Sequence, residues 1–276
     1  VTTEELSRLA DVCLAEAWRM AEAEARQSWG APQDPTGRET GLVVVGMGKL
    51  GGQELNYSSD IDLIFLYGDD GETVGGEEGR IANGEFFTRV CRRLVAIIES
   101  VTEEGYAFRV DLRLRPEGTR GELVNSLRSA EIYYESWGQT WERAALIKAR
   151  PVAGDLPLGE EFLRTVVPFV YRRYLDFTSI EEIKGMKDRI NVAAARSHRN
   201  ERDLKLGLGG IREIEFFAQA HQLIYGGKEP SLRVRGTVEA LSALARLGIV
   251  SGEERDRLAD AYDFLRRLER RSEARS

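Results

Sequence analysis

The 276-residue chain carries 46 acidic against 39 basic side chains, a net charge of −7. That balance argues against nucleic acid as the main partner, because phosphate backbones are bound by basic surfaces. Its length suits one large or two small domains. No apolar run approaches the roughly 18 residues of a membrane span, and no signal peptide opens the chain. The two cysteines, Cys13 and Cys91, have neither disulfide nor metal-site spacing, as suits a reducing cytoplasm.

Thr2 to about Trp29 reads as one helix. Thr2 and Glu5 have the spacing of a capping box, and Leu6, Ala10, Cys13, Ala17 and Met20 recur at helical spacing. The expected role is packing against the domain that follows. Gly30 to Gly41, with Pro32, Pro35 and Gly37, is a linker.

Val43-Val44-Val45-Gly46-Met47-Gly48-Lys49-Leu50-Gly51-Gly52 is an apolar strand feeding a glycine-rich turn, and a second strand opens with Asp60-Ile61-Asp62-Leu63-Ile64-Phe65. Residues i and i+2 of a strand share a face, so Asp60 and Asp62 are expected side by side with Ile61 and Leu63 toward the core. Two carboxylates that close repel one another. A divalent cation between them relieves this, and magnesium is bound through a couple of carboxylates plus substrate phosphates. Three competing readings bear on this stretch. Gly46-x-Gly48-x-x-Gly51 fits the Rossmann fingerprint, but only Gln53 to Ser59 separates the turn from Asp60, and a crossover needs about ten residues or more. A P-loop would need Ser or Thr after Gly48-Lys49, where Leu50 stands. The third is that Asp60 and Asp62 merely start a strand at the surface.

Gly68 to Gly79, rich in glycine and acids without an apolar period, reads as a mobile surface loop. Asn83 can cap a helix carrying Phe86, Val90, Leu94, Ile97 and Val101 on one stripe. From Phe108 to Pro116 the alternation is strict: Val110, Leu112 and Leu114 on one face, Asp111, Arg113 and Arg115 on the other. This predicts a strand with one buried face, offering a third carboxylate beside guanidinium groups suited to phosphate. A glycine turn, an Asp-x-Asp strand and a later Asp together suit a two-metal phosphoryl or nucleotidyl transfer site. Gly121 to Ser126 reads as a short strand, and Glu131 to Arg150 as helical, with Trp137 and Trp141 in the core or stacking on a base. Lys148 and Arg150 belong to a solvated face or a phosphate site.

Pro151 to Gly159 breaks the pattern, and only helices are expected beyond it: Thr178 to about Ser197, Ile211 to Tyr225, Val234 to Leu247, and one capped by Ser251 and Glu254. Gly207-Leu208-Gly209-Gly210-Ile211 is either a tight interhelix turn or a place for close backbone approach. His221 reads as a satisfied rather than a catalytic histidine.

Gly48-Lys49, then Asp60-x-Asp62, then Asp111 is similar to the signature of the nucleotidyltransferase superfamily. The longer stretches GMGKLGGQELNYSSDIDLIF, FRVDLRLRPEG, WERAALIKAR and LGLGGIREIEF resemble the bacterial bifunctional glutamine synthetase adenylyltransferase/adenylyl-removing enzymes, from about Gly41 to about Ile249. Within that family the LNYSSDIDLIF and RRYLDFTSIEEIKGMKDRI stretches look more like the N-terminal, adenylyl-removing half. Because the family's members are several times longer, and this chain begins at Val1 and stops inside a charged helical pattern, an excised fragment is expected.

The resemblance implies an α+β fold, a small mixed sheet with helices followed by a helical bundle. The division would be a helix and linker over 1–40, a nucleotidyltransferase domain over 41–155 and the bundle over 156–276. It implies phosphorolysis of tyrosyl-AMP on glutamine synthetase to give ADP. Mg2+ or Mn2+ would be held by Asp60, Asp62 and Asp111. Gly48, Lys49, Ser58, Ser59, Arg113, Arg115, Lys148 and Arg150 would serve nucleotide and phosphate. The partners implied are glutamine synthetase, the PII signal protein, ADP or ATP, and phosphate. The adenylating half, moving AMP from ATP to a tyrosine, and a non-catalytic nucleotide- or protein-sensing module are the alternatives.

Overall fold

The computed structural model describes residues 2–174, 181–183, 185, 204–205, 207 and 209–273. The fold is α+β and its contacts divide it into two units. One comprises Val1–Gly138 with Lys148–Val167, the other Gln139–Ile147 with Pro168–Ser276. The residues expected as a separate helix and linker, 1–40, therefore fall within the first unit.

Helix α1 (Thr3–Trp29) begins with the expected capping box between Thr2 and Glu5. It buries Ser7, Ala10, Leu14, Ala17, Ala21 and Ala25. Small side chains let α1 lie close to its neighbours; Met20, placed on the buried stripe by its spacing, is 45% exposed. The linker then folds on Asp34. Its Oδ1 accepts from Thr36 N (2.8 Å), Thr36 Oγ1 (2.7 Å) and Arg38 N (2.9 Å), and its Oδ2 from Arg38 Nε (2.9 Å). These bonds, that from the Thr36 hydroxyl foremost, hold the Asp34 carboxyl down to about 2. A folded pKa below the unfolded value of about 3.9 stabilises the fold fully above that value, and the contribution is lost as pH falls through the folded one. Acid unfolding of Asp34→Asn, compared with the parent between pH 4 and 2, is therefore expected to show a shallower loss of stability. An NMR titration of Asp34 should place its midpoint near 2.

The main sheet is built on β2 (Leu42–Gly46) and β3 (Ile61–Tyr67), an antiparallel pair in register from Leu42↔Tyr67 to Gly46↔Leu63. On the other edge of β2 runs β7 (Arg150–Gly154), antiparallel, with a bulge between Val44 and Val45. Pro151 lies at that irregularity, where a missing N–H is tolerated. On the other edge of β3 lie two short parallel partners one behind the other, β5 (Val110–Asp111) at its start and β6 (Val124–Ser126) at its end. Every residue of β2 is buried. Helix α1, with α3 (Asn83–Glu99), packs in the same core cluster as the strands. Helix α6 (Leu156–Val170) comes so close at Gly159 that a Cβ there would meet Pro151 and Val43.

Four expectations are corrected. The glycine-acid stretch is not structureless: β4 (Glu72–Thr73) pairs with β1 (Pro32–Gln33). Asn83 does not cap α3. It is the first residue of that helix, fully buried, and its Nδ2 donates to the Gln33 and Asp69 carbonyls at 2.9 and 3.0 Å, joining linker and loop. The helical reading of 131–150 resolves into α4 (Leu127–Ser136), α5 (Thr140–Leu146) and the start of β7. Val101, read onto the α3 stripe, lies past the helix end and is 80% exposed.

In the second unit α5 stands with helices Ile211–Tyr225, Thr237–Arg246 and Gly252–Glu273. The last begins at a Ser251–Glu254 capping box, as expected. The helix expected over Thr178 to Ser197 lies for the most part outside the described residues. Arg143 is buried and donates to the Val170 carbonyl at 3.2 Å, while Gln222 Nε2 donates at 2.7 Å to the carbonyls of Leu232 and Val234.

Candidate active site

The turn after β2 is shaped by what lies under it. Gly46 pairs with Leu63, and the Met47 N–H still donates to the Asp62 carbonyl at 2.8 Å. The chain then coils through the single turn α2 (Gly48–Gly51). Gly48 has φ +49°, and a Cβ on it would fall within 3.0 Å of Asp62 Oδ2. Only glycine leaves that carboxylate open to whatever lies above it. Gly51 is pressed on the other side, where a Cβ would run into the Lys148 carbonyl and stand 2.6 Å from that of Gly46.

Asp60 is not in the strand but one residue ahead of it, where Ile61 N donates to the Arg109 carbonyl at 2.9 Å. Alternation alone therefore does not set Asp60 beside Asp62. The side-by-side neighbour of Asp62 is Asp111, its partner in the parallel β3–β5 pair. The strand predicted for Phe108 to Pro116 shrinks to Val110–Asp111. Its end has a local cause: Asp111 Oδ1 accepts the Arg113 N–H at 2.8 Å, an Asx turn that offers the backbone an alternative to the ladder. Arg115 then donates to the Leu112, Glu122 and Gly121 carbonyls at 2.8, 3.0 and 3.3 Å, tying down the loop between β5 and β6.

Each flanking carboxylate is met by an arginine. Arg113 Nε lies 3.0 and 2.9 Å from the two oxygens of Asp111, and its Nη2 also bonds Oδ2. That guanidinium, helped by the Arg113 N–H, holds the Asp111 carboxyl below its ordinary range against the opposing effect of burial. Arg109 donates from Nε to Asp60 Oδ1 and from Nη2 to the Ser58 carbonyl, both at 2.6 Å. Arg109 was not singled out in the sequence. The available signal was its place one residue before the strand that pairs with Asp62. Lys49 Nζ lies 3.2 Å from Ser59 Oγ, so the turn cation and one of the two serines expected at phosphate come together. Lys148 and Arg150 are drawn into the scaffold. Lys148 pairs with Glu54 at 2.7 Å, and Arg150 holds the Asp11 carboxylate at 2.8 and 3.0 Å and the Leu50 carbonyl at 3.1 Å.

In donor type and backbone placement these residues fit a hard divalent cation: oxygen ligands only, two of them in register, beneath a turn where a Cβ would fill the space. As the side chains stand, no three His, Cys, Asp or Glu among the described residues converge on one ion position. Asp60 and Asp111 are instead turned to Arg109 and Arg113.

Other features singled out in the sequence lie elsewhere. Trp137 and Trp141 are 71% and 40% exposed and do not belong to the core. His221 Nδ1 lies 2.8 Å from the Phe217 carbonyl and is satisfied by its own helix. Gly210 N donates to the Gly207 carbonyl at 2.9 Å, the tight-turn alternative; Leu208 lies outside the described residues. A cleft of about 530 Å³ is lined by residues such as Tyr67, Thr88, Arg89 and Arg92, at the end of β3 remote from Asp62. No helix among the described residues is long and apolar enough to cross a membrane.

A family model described as glutamate-ammonia ligase adenylyltransferase matches residues 1–165, and one described as GlnD PII-uridylyltransferase matches residues 183–273. The chain is similar to curated proteins named bifunctional glutamine synthetase adenylyltransferase/adenylyl-removing enzyme. With that of Thioalkalivibrio sulfidiphilus it is 49% identical over 97% of this chain and 27% of that protein. With that of Vibrio parahaemolyticus the figures are 44%, 96% and 28%, and with that of Nitrosococcus oceani 46%, 98% and 28%. The chain thus spans less than a third of the length of these relatives.

Proposed function

The chain belongs to the glutamate-ammonia ligase adenylyltransferase family, whose model covers residues 1–165, and from that premise we propose that it is a cytoplasmic, metal-dependent nucleotidyltransferase that removes AMP from adenylylated glutamine synthetase. An oxygen of orthophosphate attacks the AMP phosphorus and the bond from phosphorus to the tyrosine oxygen breaks. The leaving phenolate takes up the proton that the attacking phosphate gives up, and the products are ADP and unmodified synthetase. The observation that carries this is the in-register pair Asp62–Asp111 beneath Gly48.

Asp60, Asp62 and Asp111 would hold Mg2+ or Mn2+, which when bound would supply positive charge against the incoming phosphate and the departing phenolate. Gly48 admits the phosphate closely, Lys49 with Ser58 and Ser59 binds it, and Arg113 offsets its charge. Little covalent work falls to the protein, as in phosphoryl transfer generally. Residues 41–155 supply this chemistry. The PII signal protein is the regulatory partner that the family resemblance implies.

The direction rests on the similarity of Leu55-Asn56-Tyr57-Ser58-Ser59 and Asp176-Phe177-Thr178-Ser179 to the adenylyl-removing half; the second of these stretches lies outside the described residues. The test supplies the chain with manganese and either AMP-modified synthetase plus orthophosphate, or unmodified synthetase plus labelled ATP. Release of ADP is expected to outpace incorporation of AMP. Phosphate-independent transfer onto unmodified synthetase would make this the adenylating half. Binding of nucleotide with turnover in neither assay would make it a sensing module.

A further inference from the structure

Two of the three carboxylates of this site, Asp60 and Asp111, are paired with arginines of the chain itself. Asp111 is only 12% exposed, and both of its oxygens are engaged by Arg113, a side chain 74% exposed that reaches back over the Asx turn. Asp60 is engaged at one oxygen, Oδ1, by Arg109, whose other end is held by the Ser58 carbonyl. The two arginines stand on either side of the two-residue strand β5.

We propose that Arg113 is an exchangeable counter-ion of this site: it occupies both oxygens of Asp111 until a divalent cation takes them, and then swings to the phosphate that the cation brings. The proposal rests on the metal-dependent reading above and adds a mechanism of coupling to it. Metal and phosphate then do not bind independently. A cation arriving alone must displace the guanidinium, which weakens its binding. A cation arriving with a phosphate gives the displaced guanidinium a new partner, since the planar fork that fits a carboxylate also fits a phosphate. Because Arg113 is so exposed, it moves without disturbing the core, and its replacement leaves the fold intact.

The test is Mn2+ binding to the 276-residue chain at constant ionic strength, followed by loss of the free-ion paramagnetic resonance signal, with and without ADP. Without ADP, Arg113→Gln is expected to bind Mn2+ at least about fivefold more tightly than the parent, the lower end of ordinary coupling between sites. After allowance for Mn2+ bound by ADP in solution, ADP is expected to tighten Mn2+ binding in the parent and to do so much less in the variant. Arg113→Lys separates occupancy from mere charge, because lysine keeps the charge and loses the fork. It too should bind Mn2+ more tightly than the parent, though less so than Arg113→Gln. Arg113→Lys matching the parent, or Arg113→Gln failing to tighten binding, overturns the exchange while leaving the metal reading intact. Absence of Mn2+ binding in the parent and both variants removes the metal reading and the exchange with it.

Discussion

Asp62→Ala is expected to lower the rate of ADP release from AMP-modified glutamine synthetase by roughly two to three powers of ten, because a metal at a developing charge is worth several kcal/mol and each ~1.4 kcal/mol is tenfold in rate. Asp62 is the carboxylate for which the backbone argument is strongest. It is the partner of Asp111 in the parallel pair and lies directly under the glycine turn. The same substitution should not weaken the fold. Two carboxylates in register repel, so removing one relieves a cost that serves function rather than stability. Single-turnover rates at saturating manganese, with thermal melting followed by circular dichroism, check both halves of the expectation. An unchanged rate would move the chemistry away from β3. A lost fold would make Asp62 structural.

The second large effect concerns neighbouring glycines that should fail in different ways. In Gly51→Ala the new Cβ meets backbone, the Lys148 and Gly46 carbonyls, which belong to β7's approach and to β2 and cannot swing aside. Overpacking typically costs about 1–3 kcal/mol, and with rigid neighbours the upper end is expected. For a unit of this size about 3 kcal/mol lowers the melting temperature by roughly 6–12 °C. In Gly48→Ala the obstacle is the Asp62 side chain, which can turn, and a φ of +49°, whose left-handed strain costs an L-residue about 1–2 kcal/mol. Gly48→Ala should therefore keep most of its melting temperature and lose activity, while Gly51→Ala loses the fold first. Equal melting temperatures for the two would show that the turn is looser than the carbonyl contacts imply.

Much of this site was legible because chain order and residue type were enough: the strand before the glycines, the aspartates after them, and the later aspartate that joins them. The capping boxes of α1 and of the last helix could be read for the same reason, since they depend on residues three positions apart. What could not be read had both local and distant causes. The alternation from Phe108 to Arg115 has the period of a strand, yet the Asx turn at Asp111 ends it after two residues. Helical reading ran one residue past Ala149: Pro151 biases Arg150 toward extended backbone, but its pairing as the start of a strand is fixed by β2. Lys148 and Arg150 were assigned to phosphate as cations near the site. Their carboxylate partners, Glu54 and Asp11, are 94 and 139 residues away in the chain, beyond any local pattern.

That last pairing bears on how the protein is made. Helix α1 leaves the ribosome before the strands of its unit, and contacts that seat it are distant in sequence: Ser7 Oγ accepts the Leu55 N–H ahead of the aspartates, and Asp11 clasps Arg150 at the head of β7. At about 5–20 residues per second, the nascent helix waits on the order of ten seconds for the strand that completes its seat. Until then the part of its surface that β7 covers is open to chaperones and to other chains. A slowing of translation between residues 60 and 150 would lengthen that exposure, so synonymous changes there could alter the yield of folded protein without altering a single side chain.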